Sequence, residues 1–312
     1  MGLWLIGAGF MAREYAKVLQ ALNVDFKVIG RSAASTESFE TDTGHPVIQG
    51  GLSKALNQLD APDQAIIAVG VEQLAPLSEA LIKAGTRNLL VEKPGGLNTA
   101  EIKKLHRAAT KHNASVLMAY NRRFYEATSV AKRLIAEDGG AVSCNFEFTE
   151  WSHIIEPLTK APGVKESWFL ANSTHVADLA FYLCGFPKDW KFWHGGSLKW
   201  HPSSARFCGS GITNQGVFFS YHADWEAPGR WGVEVLTKKR RFIFRPMESL
   251  HVVNIGTVKT EMIDIDDQLD TNFKPGLYKQ IESFLKNDNS QFCSISEQLD
   301  HCKIYDDMVG YK

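Results

Sequence analysis

"LWLIGAGFMA", Leu3 to Ala12, decides the fold. Leu3 to Ile6 read as a buried strand, and Ala12 to Leu22 carry the apolar spacing of a helix. Between them Gly7, Gly9 and Ala12 stand in G-x-G-x-x-A form. Gly7 permits the tight turn from strand to helix. Gly9 lets the backbone approach a pyrophosphate, and Ala12 lets the helix sit close on the strand. The N–H groups at the helix N-terminus complete an anion cradle. Directly after a strand and before a helix, the pattern reads as dinucleotide binding.

The chain beyond it repeats the alternation. Phe26 to Ile29 form a second strand. Ala65 to Val69 (AIIAV) form an uninterrupted β run, as expected where helices cover both faces. Glu72 to Ala84 are helical and stop at Gly85. Leu89 to Val91 and Ser115 to Ala119 are further strands, separated by a helix that Asn98 caps with Glu101 as its reciprocal acid. The prediction is an α/β Rossmann domain over residues 1–121, a doubly wound parallel sheet.

After about Tyr120 the texture changes. Helices are expected at Glu126 to Glu137 and Thr174 to Cys184. Val142 to Thr149, Ser204 to Thr213, Val217 to Tyr221, Gly232 to Leu236 and Phe242 to Arg245 alternate like antiparallel strands. Residues 122–312 therefore read as an α+β domain with a large, mainly antiparallel open sheet, serving substrate binding and oligomerisation. Seven of the eight Trp lie here. They read either as packing, with a subunit partner on the open face, or as platforms for sugar rings.

Composition narrows the function classes. The 312 residues are 44% hydrophobic and 22% charged, enough for two cores. A formal net charge of −1 gives no electrostatic footprint for nucleic acid or an acidic membrane. No apolar run approaches the ~20 residues of a membrane span. The N-terminus lacks the basic region of a signal peptide. Five scattered cysteines without a CxxC suggest neither a disulfide framework nor a zinc knuckle, and no HExxH is present. No metal is expected, and the setting reads as soluble and cytoplasmic.

The second strand speaks to the cofactor. Its end reads Val28-Ile29-Gly30-Arg31-Ser32, with no acid to hold ribose hydroxyls. Arg31 can pair bidentately with a 2′-phosphate and the Ser32 hydroxyl can donate to it. NADP is expected over NAD.

"NLLVEKPGG", Asn88 to Gly96, ends a buried strand in a charge pair held against Pro94. Ligands of such sheets sit beyond the carboxyl ends of the strands, so Lys93 falls where the nicotinamide belongs. Partial burial destabilises an ammonium and lets a lysine trade a proton nearer neutrality.

GAGFMA, EKP, "YNRRF" at Tyr120 to Phe124 and "NSTHVADLAFYL" at Asn172 to Leu183 together resemble the glucose–fructose oxidoreductase, inositol dehydrogenase and MocA family over essentially the whole chain. The resemblance implies a hydride transfer between NAD or NADP and a sugar, cyclitol or nucleotide sugar. It implies oligomers, here a homodimer or homotetramer, built through the second sheet. It makes Lys93 and His175 the catalytic residues, and His175 the proton carrier. Asp178, three residues on and on the same helix face, would orient the ring. Expected cofactor ligands are Gly7, Gly9, Phe10, Met11, Arg31, Ser32, Gly70, Glu92, Lys93 and Asn121. Tyr120, Arg122, Trp168 and Asn172 are expected at the substrate. With the family, the Lys93–Pro94 peptide is expected to be cis. One departure stands out. Many members carry an aspartate four residues before the histidine, and here that residue is Ala171. A non-catalytic NADP-binding regulatory protein, and an enzyme for a dihydrodiol or tetrapyrrole, are the other readings.

Overall fold

The computed structural model describes residues 2–311. It divides into two compact units. The first runs to Asn121 and includes Leu269–His301; the second is Arg122–Gln268 with the chain from Cys302 onward. Leu269–His301 thus groups with the first unit, where the sequence reading had assigned it to the second.

In the first unit β1 (Leu3–Ile6), α1 (Phe10–Ala21), β2 (Lys27–Gly30), α2 (Ala33–Thr43), β3 (Val47–Gln49), α3 (Gly51–Gln58), β4 (Gln64–Ile67), α4 (Val71–Ala84), β5 (Asn88–Val91), α5 (Thr99–Lys111) and β6 (Ser115–Met118) alternate. The strands are short and apolar because helices cover both faces; all four residues of β1 are buried. Ile6 pairs with Ile29 of β2 and Ile67 of β4, which aligns the carboxyl ends of three strands around Gly7.

A 3-10 turn, Asn121–Phe124, precedes α6 (Glu126–Glu137), β7 (Ser143–Glu147), α7 (Ser152–Ile155) and a π-helical turn, Phe169–Ser173, that runs into α8 (Thr174–Cys184). Seven strands follow: β8 (Pro187–Gly195), β9 (Arg206–Thr213), β10 (Phe218–Asp224), β11 (Gly232–Leu236), β12 (Arg240–Phe244), β13 (His251–Asn254) and β14 (Glu261–Met262). The chain ends through α9 (Gln268–Asn272), α10 (Leu277–Leu285), β15 (Cys293–Ser294) and α11 (Ile295–Val309).

The first sheet has the order β15-β6-β5-β4-β1-β2-β3 and is parallel except for β15, antiparallel to β6. The second has the order β14-β13-β12-β11-β7-β10-β9-β8 and is antiparallel except for β7 with β10. This is the expected Rossmann sheet followed by a mainly antiparallel one. The aromatics of the second sheet mostly point inward, toward α8. Phe146 meets Phe181 edge-on at 5.5 Å and Tyr221 face-on at 5.4 Å, and Phe219 also packs on Phe181. The outer face is more polar than the sequence reading implied, carrying Ser143, Asn145, Lys191, Ser210 and Ser220; Trp193 and Phe218 are its large exposed apolar residues. Among the described residues no helix is long and apolar enough to cross a membrane.

Candidate active site

The β1–α1 turn is built for close approach. Gly7 has φ +122°, and a Cβ there would collide with the Ala68 carbonyl oxygen, so only glycine fits. Gly9 caps α1 with no side-chain hydrogen bond, and a Cβ there would meet nothing within 4 Å. It would project instead into open space at the helix N-terminus, the place a phosphate takes in such turns. A cavity of about 480 Å³ opens here, lined by Gly7, Gly9, Phe10, Met11, Arg31, Ser32 and Gly70 among others. The residues present therefore fit a dinucleotide.

At the tip of β2, Arg31 is exposed and lines the cavity. Ser32 caps α2: its Oγ accepts from the Ser35 N–H at 3.4 Å and lies 2.7 Å from Ser35 Oγ. Glu72 is the carboxylate in the cavity wall, and it belongs to α4, folded back over Gly70. Sequence reasoning missed Ser35 and Glu72, neither of which belongs to a motif.

The EKP turn prolongs β5: the Glu92 N–H donates to Ile67 O at 3.0 Å. The Lys93–Pro94 peptide is cis. Lys93 is buried, and Glu92 turns inward, where Tyr15 Oη donates to its Oε1 at 2.9 Å. Burial raises the Glu92 carboxyl above its ordinary range, opposed by the Tyr15 hydroxyl and by the charges of Lys93 and Lys274. The Tyr15 phenol is in turn pushed up by burial and by Glu92. Gln280 stands behind Tyr15, its Oε1 at 3.5 Å and its Nε2 buried without a partner. Turning that amide over would let Nε2 donate to Tyr15 Oη. Glu92 is thus the head of an internal network with Tyr15 and Gln280, and neither Glu92 nor Lys93 lines the 480 Å³ cavity.

Asn121 and Tyr120 are also internal. The Asn121 amide donates to Pro275 O at 2.9 Å, and Tyr120, wholly buried, donates to Gln298 Oε1 at 3.1 Å. Tyr120 was expected to touch substrate; with no exposed surface, it packs instead.

The second unit holds the other expected residues, two of them, His175 and Arg122, beside Trp231. The His175 ring lies 6.2 Å from the Trp231 ring, and the Arg122 guanidinium carbon 5.0 Å from it. Asn172 Nδ2 donates to Glu150 Oε1 at 2.8 Å, and Ser173 Oγ donates to the same oxygen at 2.6 Å. Arg230 Nη1 donates to Glu150 Oε2 at 3.0 Å. Glu150 is 2% exposed, so its charge is stabilised by these three donors. Glu150, Arg230 and Trp231 escaped the sequence reading. Trp168 is buried edge-on against Trp200. Asp178 takes a bidentate pair from Arg123, Nε to Oδ2 at 3.0 Å and Nη2 to Oδ1 at 2.7 Å, which ties the YNRRF turn to α8.

The parallel sheet, the glycine turn and the cavity are those of a dinucleotide-binding α/β fold. Residues 1–120 match the GFO_IDH_MocA model, described as an oxidoreductase family with an NAD-binding Rossmann fold. The family likeness is carried by this first segment, under half of the chain. No curated protein matches at the sequence level. Among solved structures, levoglucosan dehydrogenase in complex with NADH superposes with a TM-score of 0.80 at 17% identity, covering 99% of this chain and 96% of that one. UDP-N-acetylglucosamine 3-dehydrogenase from Acidithiobacillus ferrooxidans gives 0.72 at 17% identity, over 96% and 93%. An oxidoreductase from Thermotoga maritima gives 0.78 at 17%, over 99% and 95%. At these identities the likeness is one of fold.

Proposed function

We propose that the protein is an NADP-dependent oxidoreductase that transfers a hydride between nicotinamide and a carbohydrate-like alcohol or its ketone. The observation that carries the cofactor choice is the tip of β2, where Arg31 and Ser32 line the cavity and no carboxylate stands. A guanidinium there favours a 2′-phosphate that an acid would repel. Gly7, Gly9 and the α1 N-terminus would hold the pyrophosphate. When bound, the dinucleotide supplies the hydride acceptor or donor. Lys93 would hydrogen-bond the reacting oxygen and stabilise its developing charge, and His175 would exchange the proton. The substrate class is supported by the family and by two solved relatives whose names carry a nucleotide sugar and levoglucosan.

Fluorescence titration with both cofactors tests the reading. NADPH should bind more tightly than NADH, and Arg31→Ala should weaken NADPH about tenfold or more while barely moving NADH. Tighter NADH binding by the wild type overturns it. Absorbance screening of free and nucleotide sugars with NADP(H) then tests the reaction. Ala171 favours a second reading, a non-catalytic NADP-binding regulatory protein; tight NADPH binding with no turnover across the screen would support it.

A cytoplasmic setting belongs to the same proposal, on the odd, scattered cysteines. So does a homodimer or homotetramer formed through the outer face of the second sheet, with Trp193 and Phe218 covered by a second copy. Light scattering at micromolar concentration should give a multiple of the chain mass; a monomer contradicts it.

A further inference from the structure

The rings and cations of the second unit form a ladder. Arg230 lies between Trp151 and Trp231, its guanidinium carbon 5.0 Å from one ring centroid and 4.6 Å from the other. Arg122 lies between Trp231 and Tyr125, at 5.0 Å and 5.8 Å. Five side chains thus alternate ring, cation, ring, cation, ring, with the His175 imidazole beside the central indole.

The two cations differ in how they are neutralised. Arg230 has Glu150, whose carboxylate is also occupied by Asn172 and Ser173. Arg122 has rings alone. Among the described residues no carboxylate pairs with it, and its Nε is buried without an acceptor. The Trp231 Nε1–H, on a side chain 6% exposed, also lacks an acceptor. Ring faces attract a cation but accept none of its N–H bonds in the guanidinium plane. Buried donors without acceptors are costly, so these point to an acceptor from outside the chain. A guanidinium fork matches a carboxylate or a phosphate.

The other end of the ladder is unsuited to an anion. A cavity of about 730 Å³ beside Trp151 is lined by Glu150, Glu156 and Glu226. The anion belongs at the Arg122 end.

We propose that Arg122, supported by Arg230 and the Trp231 N–H, binds an oxyanion carried by the substrate, which makes the substrate an acidic carbohydrate, either a sugar carboxylate or a sugar phosphate. The sugar part of this statement rests on the proposed function; the anion part rests on the ladder.

Calorimetric titration of the full-length protein with NADPH present tests it, using D-glucose, D-glucuronate, D-glucose 6-phosphate and inorganic pyrophosphate at low salt. At least one anion should bind tenfold or more tightly than D-glucose, and that advantage should shrink with added NaCl. Glucuronate above glucose 6-phosphate identifies the carboxylate, and the reverse order or pyrophosphate binding identifies the phosphate. Arg122→Gln should lose about tenfold or more of the anion affinity, and Arg122→Lys, which keeps charge without the fork, should lose less. NADPH titration of both variants reports that they are folded. If no anion exceeds glucose, including the case in which nothing binds, or if anion binding survives Arg122→Gln, the proposal is overturned. Failure of NADPH to bind the wild type would sink the proposed function instead, while the anion titrations can be run without it.

Discussion

The turn at the mouth of the 480 Å³ cavity of the first unit offers backbone, at Gly7, Gly9 and the N–H groups that open α1, with Arg31, Ser32 and Glu72 as the polar side chains around it. The groups around Trp231 in the second unit are all side chains, and each is held by another side chain: Asn172 and Arg230 by Glu150, Arg122 by two rings. The backbone cradle depends on dihedral angles and on the absence of a Cβ. The side-chain cluster depends on braces drawn from distant parts of the chain. A dinucleotide presents the same pyrophosphate to every enzyme that uses it, and a backbone cradle suits that constancy. Substrates vary, and replaceable side chains suit that variation.

The largest effect should come from Lys93, the side chain in the first unit assigned to chemistry. Lys93→Met should lower turnover by about two to three orders of magnitude, because a preorganised charge at the reacting oxygen is worth most in the transition state. NADPH affinity should hold, since Lys93 does not line the cradle cavity. Steady-state kinetics on the substrate found by screening, beside cofactor titration, checks both halves. Wild-type turnover in the variant would remove Lys93 from the mechanism.

The cradle itself offers a sharper contrast between two glycines. Gly7→Ala places a Cβ against the Ala68 carbonyl at positive φ, and should destabilise the protein by about 2–4 kcal/mol in denaturant unfolding. Gly9→Ala meets nothing within 4 Å and should cost under about 1 kcal/mol, yet weaken NADPH by intruding on the pyrophosphate. Equal stability losses would mean that both glycines serve only the fold.

Motif-borne parts of the molecule were legible because their physics is local. The turn at Gly7, the Asn98 cap and the strand at Leu3–Ile6 depend on neighbours within a few residues. Even there a detail escaped: Asn98 accepts from the Glu101 N–H as expected, but the Glu101 carboxylate accepts from Leu97 N–H instead of Asn98. α2 was invisible because only Thr36 and Phe39 of its eleven residues are buried, so no apolar period marks it. β15, two residues long, joins the first sheet through pairing that no local pattern encodes. Alternation in the second sheet told which residues share a face, but not which face is inside, so packing and sugar platforms both stayed open for its aromatics. Glu92 was expected at the cofactor because Tyr15, 77 residues earlier, gives no sign in sequence that it will meet the carboxylate. Glu150 lies 22 residues before Asn172 and 80 before Arg230, and only the fold brings them together.

Glu150 therefore tests whether the second unit's cluster depends on its braces. Glu150→Ala removes the acceptor of three donors and leaves Ser173, buried, without its partner. Arg230 is 45% exposed and can turn to water, which limits the loss. The variant should be about 2–3 kcal/mol less stable in thermal or denaturant unfolding. A loss under about 0.5 kcal/mol would show that the rings alone hold the cluster.

The smallest effect concerns a brace of the same kind away from both sites. Asp138, at the C-terminal end of α6, accepts from Arg240 Nε at 2.8 Å and Nη2 at 2.7 Å, and from Thr237 Oγ1 at 2.8 Å. Hydrogen bonds from Arg240, with those of Thr237 and the nearby cations, hold its carboxyl below the usual aspartate range against the cost of burial. A depressed native pKa means that the unfolded chain binds the proton first as pH falls. The stabilisation is then complete above the ordinary aspartate pKa and is lost as pH drops through the native one. Asp138→Asn should cost about 1–2 kcal/mol, constant between about pH 5 and 8, and the gap to wild type should close below about pH 4. Urea unfolding of both proteins across that range measures it. Gly9 itself touches no titrating group, since a Cβ there meets nothing within 4 Å, so Gly9→Ala should show a stability gap that does not change with pH. A gap for Asp138→Asn that persists unchanged at pH 3 would mean that the carboxylate's charge contributes nothing and its shape alone matters.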